Sequence, residues 1–584
     1  MLMMTLGALG GCGRSMRQGG VDFRPAEIVL LGGNIPGSAA PGTVRAIAIS
    51  QGLIGAVGSD AEVEPLRGPG TVVVDLQGRA VLPGLVDHHI HLMNVGFSLL
   101  NAQTGEQLFL DLSAVRSLEE VERRVRERAA APPPGSWVLG NGWNQMNWGS
   151  PRLPTHHVLS RAAPNNPVFL ARVDGHAGWA NAAALALSGI SMQTPDRHGG
   201  AIIRLDSGEP SGILLERANE PVLAHVPQPA DDRVMQAFRL AAAAMAARGI
   251  VEVWDAGFLS APGIVALNGD LERCLSLLRK VDAEAPLPIR VNLMVPAPSR
   301  LADKILADPG AFRKISDRIR VTHIKLFVDG AFGSRGALLS HAYFDNPATR
   351  GVSRMTDAEL RSAVMSALDA GFDVAVHAIG DAAVRQTLDA FEYALQQQPG
   401  ILPGRLRIEH FSYAQTEDIE RAARLKVVLC VQPNFIWPAD DGTTMEDARV
   451  GPENSRRAYP WGTLVNLGAR LADGTDYFTS PAHPLLNFYI AIGRMNPDGR
   501  PVGGWHPEER LSRPAAFQLA TRLYPPGGAE PDTDRLRVGA PADLAILSAD
   551  PLQTELSELL QIRVHATIRD GRVTYNDGSL AHLR

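Results

Sequence analysis

Short apolar runs bounded by polar or glycine-rich turns mark both ends of the chain. They lie at residues 27–31, 45–50, 53–57 and 71–75, and again at 542–548, 564–569 and 572–575. Their length and spacing predict β-strands, with Asp570-Gly571 as a hairpin turn between the last two. Two strand-rich ends are housed most simply in one small β-sandwich domain built from residues 26–79 and 535–584. Between them the pattern changes. Eight β-rich runs, at 80–86, 250–255, 289–295, 323–329, 373–378, 405–411, 427–432 and 470–477, alternate with helix-like or loop sequence. Helices are predicted over 233–247, 360–370, 382–397 and 416–423, the second opened by the capping box Thr356-Asp357-Ala358-Glu359. Eight strands in such alternation predict an α/β fold, a (β/α)8 TIM-like barrel spanning residues 80–534. A doubly wound open sheet competes, but no glycine-rich phosphate fingerprint follows an early strand.

One interval is out of proportion. About 160 residues separate the first barrel run from the second, enough for an inserted subdomain at about 96–230. Loops after a barrel strand sit over the C-terminal rim, where ligands bind, so the insertion is expected to act as a lid. It contains Trp143, Trp148 and the segment Val173-Asp174-Gly175-His176. The two tryptophans are candidates to wall a pocket, with burial in the insertion's own core as the competing reading.

Composition narrows the function classes. Of 584 residues, 45% are hydrophobic and 20% charged, which suits a large buried core and excludes a disordered chain. A formal charge of −6 offers no basic field for nucleic acid. Cys12, Cys274 and Cys430 are too few for a disulfide framework and lack zinc-finger spacing. No run approaches the ~18 apolar residues of a transmembrane helix. Residues 1–25 read as a signal-like or unstructured extension, and Leu9-Gly10-Gly11-Cys12 resembles the bacterial lipobox. Arg14 and Arg17 follow the cysteine rather than precede it, so a lipoprotein of the cell envelope or periplasm and a cytoplasmic protein both stay open.

Histidines carry the chemistry. In Asp87-His88-His89-Ile90-His91, alternate residues of an extended strand face one way, so His89 and His91 can converge on one ion while His88 points elsewhere. Lys325 on the fourth run, His377 on the fifth, His410 on the sixth and Asp476 on the eighth all sit toward the ends of their strands. That is the rim where barrel active sites assemble. Four imidazoles, an amine and a carboxylate buried together without a partner would be costly, and a metal ion removes that cost.

These residues resemble the metal-dependent amidohydrolase superfamily. Val328-Asp329-Gly330-Ala331-Phe332-Gly333-Ser334-Arg335, Val376-His377-Ala378-Ile379-Gly380-Asp381 and Val173-Asp174-Gly175-His176-Ala177 are similar to the branch typified by N-substituted formamide deformylases (amidohydrolase family 3), over nearly the whole chain. The resemblance implies that His89 and His91 hold a first metal and His377 and His410 a second. Lys325 would be N-carboxylated by carbon dioxide and bridge the ions; the alternative is an ammonium paired with Asp329 or Asp255 and a single metal. Asp476 would bind metal and act as general base. One or two zinc ions are expected, with iron and manganese as alternatives. His176, oriented by Asp174, is a candidate catalytic donor, and Arg335 a candidate substrate contact. Three features depart from the branch: Tyr477-Phe478 after Asp476, a polar Asp473, and a stretch at 514–534 without an evident helix.

The implied reaction is hydrolysis of a non-peptide carbon–nitrogen bond in a small amide-like substrate. Lactone or phosphotriester hydrolysis on the same site, and a lipid-tethered binding protein without catalysis, are the alternatives. Monomer and homodimer are both open.

Overall fold

The computed structural model describes residues 17–18, 21–22, 25–36, 44–104, 108–148, 152–257, 270–437, 442–477, 483–533 and 535–583. The lipobox-like segment ending at Cys12, and Phe478, lie outside the described residues. The chain divides into two units.

The first unit combines Met1–Pro83 with Asp534–Asp550 and Arg563–Arg584. It contains a four-stranded sheet of Ile28–Leu31, Ala46–Ser50, Leu53–Gly58 and Val72–Asp75. A second four-stranded sheet joins Ala80–Pro83 to Leu544–Leu547, Val564–Arg569 and Arg572–Asn576. Leu30, Ile47, Ile49 and Ile54 pack in one core with Leu544, Ile546 and Ile568. Residues about 500 positions apart therefore share a single apolar interior, which burial of their aliphatic surface stabilises.

The second unit is Gly84–Thr533 with Pro551–Ile562. Its centre is an eight-stranded parallel sheet, nearly closed into a barrel. The strands are β1 Leu85–Ile90, β2 Ile250–Asp255, β3 Arg290–Pro296, β4 Ile319–Phe327, β5 Asp373–Ala378, β6 Leu406–His410, β7 Val428–Val431 and β8 Arg470–Asp473. Each pairs with the next in parallel register from β1 to β8. Just past the end of β8 the Asp476 N–H donates to the His89 carbonyl at 2.7 Å, drawing the two edge strands together where the functional groups lie.

Two expectations are corrected here. The run at 80–86 is not one barrel strand: Ala80–Pro83 belongs to the first unit and β1 starts at Leu85. Pro83 has no amide to continue a ladder, and Gly84 lies where a Cβ would stand 2.4 Å from Val251, so the run divides between them. The stretch at 514–534 does contain a helix, Arg513–Thr521. Pro514 falls in its first turn, where its missing N–H would have had no partner, and Ser512 caps the Ala515 N–H.

Between β1 and β2 the chain builds a separate six-stranded sheet. Its order is Gly200–Arg204, Pro210–Glu216, Ala177–Ala180, Val168–Arg172, Val138–Trp143 and Leu110–Asp111. The turn 173–176 and the end of the strand Pro210–Glu216 carry residues that reach the barrel rim.

Helices Leu92–Thr104 and Asp231–Ala246 pack closely through Gly96, where a Cβ would stand 2.0 Å from the Ala237 carbonyl oxygen. Gly96→Ala is therefore expected to destabilise the unit by about 1–3 kcal/mol despite alanine's better helix propensity. A lowered urea midpoint at unchanged slope checks it. Among the described residues, no helix is long and apolar enough to cross a membrane.

Candidate active site

His89, His91, Lys325, His377, His410 and Asp476 line one cavity of about 220 Å³ at the C-terminal rim of the barrel. His176, Asp174 and Glu216 from the six-stranded sheet line it too, as do Phe327 and Arg354. The imidazoles form a continuous row. Ring centroids are 5.7 Å apart for His91 and His89, 4.8 Å for His89 and His410, 4.5 Å for His410 and His377, and 4.8 Å for His377 and His176. Asp476 Oδ1 lies 3.1 Å from His91 Nε2 and 3.5 Å from His89 Nε2.

Local backbone geometry explains how residues on opposite strand faces reach one point. Alternation along β6 would send Glu409 and His410 to different faces, but His410 has φ 77° and Phe411 φ 46°, which turns the His410 ring back over the rim. Asp476 has φ 49° for the same purpose past β8. Such backbone is costly for residues with a Cβ and is retained where position matters. Asp87 steadies this corner: its carboxylate accepts the His89 and Thr475 N–H groups, each at 3.1 Å.

Three of the imidazoles have one ring nitrogen committed to a partner. His89 Nδ1 donates to Glu409, which Arg407 also grips. His410 Nδ1 donates to Gln432 Oε1 at 2.8 Å, and His377 Nε2 lies 3.3 Å from the Gly330 carbonyl. The other nitrogen of each ring is thereby left as a lone-pair donor, the arrangement in which imidazoles bind metal. Burial drives His377 and His410 well below the ordinary histidine value, toward the neutral form that ligates. Burial would raise Glu409, but Arg407 and His89 outweigh it and hold it well below the usual carboxylate range.

Lys325 is the odd member. Its amine is buried, and Nζ has no hydrogen-bond partner among the described residues. Burial lowers its pKa to about 8. The alternative ammonium pair with Asp329 is not formed, because the Asp329 carboxylate is taken by the N–H groups of Leu338, Ile379 and Gly380. His89, His410 and Asp476 offer ligand atoms within 4.8 Å of one another. A buried amine without a partner beside three neutral imidazoles and a carboxylate fits a divalent ion.

The sequence pattern of the amidohydrolase family matches residues 72–575. The chain belongs to this family. YtcJ of Bacillus subtilis (strain 168) is 32% identical over 539 residues, which cover 91% of this chain and 96% of that protein. N-substituted formamide deformylase of Arthrobacter pascens is 28% identical over 546 residues, covering 91% and 95%. An uncharacterized metal-dependent hydrolase from Pyrococcus horikoshii OT3 superposes with a TM-score of 0.66 at 28% identity, covering 91% of this chain and 99% of that one. The protein is thus a hydrolase of the amidohydrolase superfamily with the fold of metal-dependent hydrolases.

Several of the amidohydrolase's side chains take places the sequence did not reveal. His176 is oriented by Glu216, at 2.9 Å from Nδ1, and not by Asp174. Asp174 instead accepts the His176 N–H at 3.1 Å and pairs with Arg172. Burial pushes the His176 imidazole down, and Glu216 and Asp174 more than offset it, leaving its pKa raised. Arg335 is bound to Asp345 at 3.1 and 2.8 Å and does not line the cavity. Trp143 and Trp148 pack with Trp179 in the core of the six-stranded sheet, where Trp143 donates to the Leu170 carbonyl at 2.9 Å. Neither lines the cavity. Trp143→Ala is expected to lower stability by about 3–5 kcal/mol and leave KM unchanged, read by urea denaturation and steady-state kinetics.

Proposed function

We propose that this amidohydrolase cleaves a carbon–nitrogen bond other than a peptide bond, in a small amide or N-substituted formamide. The observation that carries the reading is the convergence of six potential ligands with His176 on one cavity. The name of the Arthrobacter pascens relative points the same way.

His89, His91 and Asp476 would hold one zinc ion and His377 and His410 a second. Lys325 would join the ligand set as a carbamate, formed when the neutral amine adds carbon dioxide and releases a proton. The pKa of about 8 supplies neutral amine near physiological pH. A bound divalent ion supplies Lewis acidity and brings the pKa of water toward ~7. Asp476 is the proton carrier. Asp476 Oδ1 lies 3.1 Å from His91 Nε2 and 3.5 Å from His89 Nε2, on the side of the ion these three residues would hold, so Oδ2 would take the proton of the attacking water as the new carbon–oxygen bond forms. The same atom returns the proton to nitrogen as the carbon–nitrogen bond breaks. His176 faces the carbonyl oxygen through Nε2, because Nδ1 is committed to Glu216. The six-stranded sheet, which brings His176, acts as a lid that limits water at the rim.

A panel of N-formyl amines, N-acyl amines, lactones and phosphotriesters, assayed with zinc-loaded protein, tests the reading. Turnover of the N-formyl or N-acyl compounds supports it. Turnover confined to lactones or phosphotriesters, or tight binding without turnover, overturns it.

A further inference from the structure

We propose that Glu216 is the positioning residue for His176, fixing the imidazole so that Nδ1 is committed to its carboxylate and Nε2 is presented to the reacting carbonyl. The inference rests on the reading of His176 as the group facing the carbonyl oxygen.

Four observations carry it. First, the Glu216 carboxylate is buried and both its oxygens lie near His176 Nδ1, at 2.9 and 3.0 Å. Second, the backbones are paired as well, since the Glu216 N–H donates to the His176 carbonyl at 3.0 Å. The two residues, 40 positions apart, are thus registered by main chain and side chain together. Third, Glu216 has φ 51° and ψ −126°, a conformation that residues with a Cβ rarely adopt. It ends the strand Pro210–Glu216 and turns its side chain toward the rim. Fourth, the barrel loop after β4 makes room for it. A Cβ at Gly330 would lie 2.0 Å from Glu216 Oε1, and one at Gly336 3.0 Å away.

The same loop holds the other side of the site, because the Gly330 carbonyl lies 3.3 Å from His377 Nε2. Arg354 Nη1 donates to Oε2 at 2.9 Å, so the carboxylate is held by the barrel loops while it holds His176. An imidazole with one nitrogen tied to a fixed carboxylate has one tautomer and one ring orientation, which is what a donor aimed at a developing oxyanion needs.

The test is a double-mutant cycle in the full, zinc-loaded chain with 4-nitroformanilide, whose cleavage releases coloured 4-nitroaniline. His176→Ala is expected to lower kcat by ~100-fold, as loss of one oxyanion donor does. Glu216→Leu should lower kcat by a similar factor with KM and zinc content unchanged, and because it also removes the partner of Arg354 its urea midpoint should fall. The double variant should be no slower than His176→Ala alone, and Glu216→Gln, which keeps an acceptor oxygen for Nδ1–H, should recover most of kcat. In proton NMR, the downfield imidazole N–H signal absent from His176→Ala should be the one absent from Glu216→Leu, a readout that needs no substrate. Additive losses in the double variant, or lost zinc or stability in place of kcat, overturn the proposal in favour of a purely structural carboxylate. A Glu216→Leu enzyme with parental kcat defeats the inference alone. A His176→Ala enzyme with parental kcat defeats the reading of His176, and the inference with it.

Discussion

Asp476→Asn is expected to reduce hydrolysis by about 10⁴-fold, the upper end of what a positioned acid–base group contributes. The substitution keeps the size of the side chain and one acceptor oxygen. The backbone bond from the residue-476 N–H to the His89 carbonyl is untouched, so the meeting of the first and last barrel strands should persist. What disappears is the negative charge. Asp476 lies against His89, His91 and His410, whose attraction outweighs burial and holds the carboxyl well below its ordinary pKa. An amide there can neither take a proton from water nor return one to the leaving group. Metal analysis should still find at least one ion, since the imidazoles remain, and the urea midpoint should move little. Turnover near the parental rate would remove Asp476 as the base.

The positions of the chemical groups were far more legible than their surroundings. β2 and β5 occupy the residues expected of them, because β-branched and apolar side chains form unbroken runs there between clear helix signals. His89, His91, Lys325, His377, His410 and Asp476 were visible because each is a polar residue at the end of an apolar strand. Their supports carried no such signal. Glu409 touches His89 across 320 positions of sequence, and next to Arg407 it reads as an ordinary strand pair. Glu216 itself adopts a positive φ that a glutamate gives no sequence signal for. The tryptophans stayed open between pocket wall and core for a related reason. The sequence shows that Trp143 and Trp148 are large and apolar, but whether they enter the core depends on tertiary packing against Trp179. Division of the 80–86 run also turned on a tertiary fact, the contact of Gly84 with Val251. Periodicity reports that a segment is extended and not which sheet it joins.

Lys325→Met is expected to abolish hydrolysis and at the same time stabilise the metal-free protein. The amine is buried without a hydrogen-bond partner among the described residues, in a place where methionine has similar volume and no charge to desolvate. Burial brings its pKa down to about 8 from 10.5. A lysine depressed in this way burdens the native state where both states are protonated, below about pH 8, by on the order of 3 kcal/mol. As pH rises from there toward about 10.4, the unfolded chain binds more protons than the native one, so stability increases with pH. Metal-free parental protein should therefore show a rising urea midpoint across that interval. Lys325→Met should begin from a higher midpoint and show a flatter profile. Activity should fall by more than the ~100-fold typical of losing a residue that only supports a ligand. An unchanged slope in the variant would mean that Lys325 is not the titrating group. Retained turnover would mean that neither an amine nor its carbamate is needed at this position. The amine is thus a poor choice for stability, which is the expected signature of a group kept for chemistry.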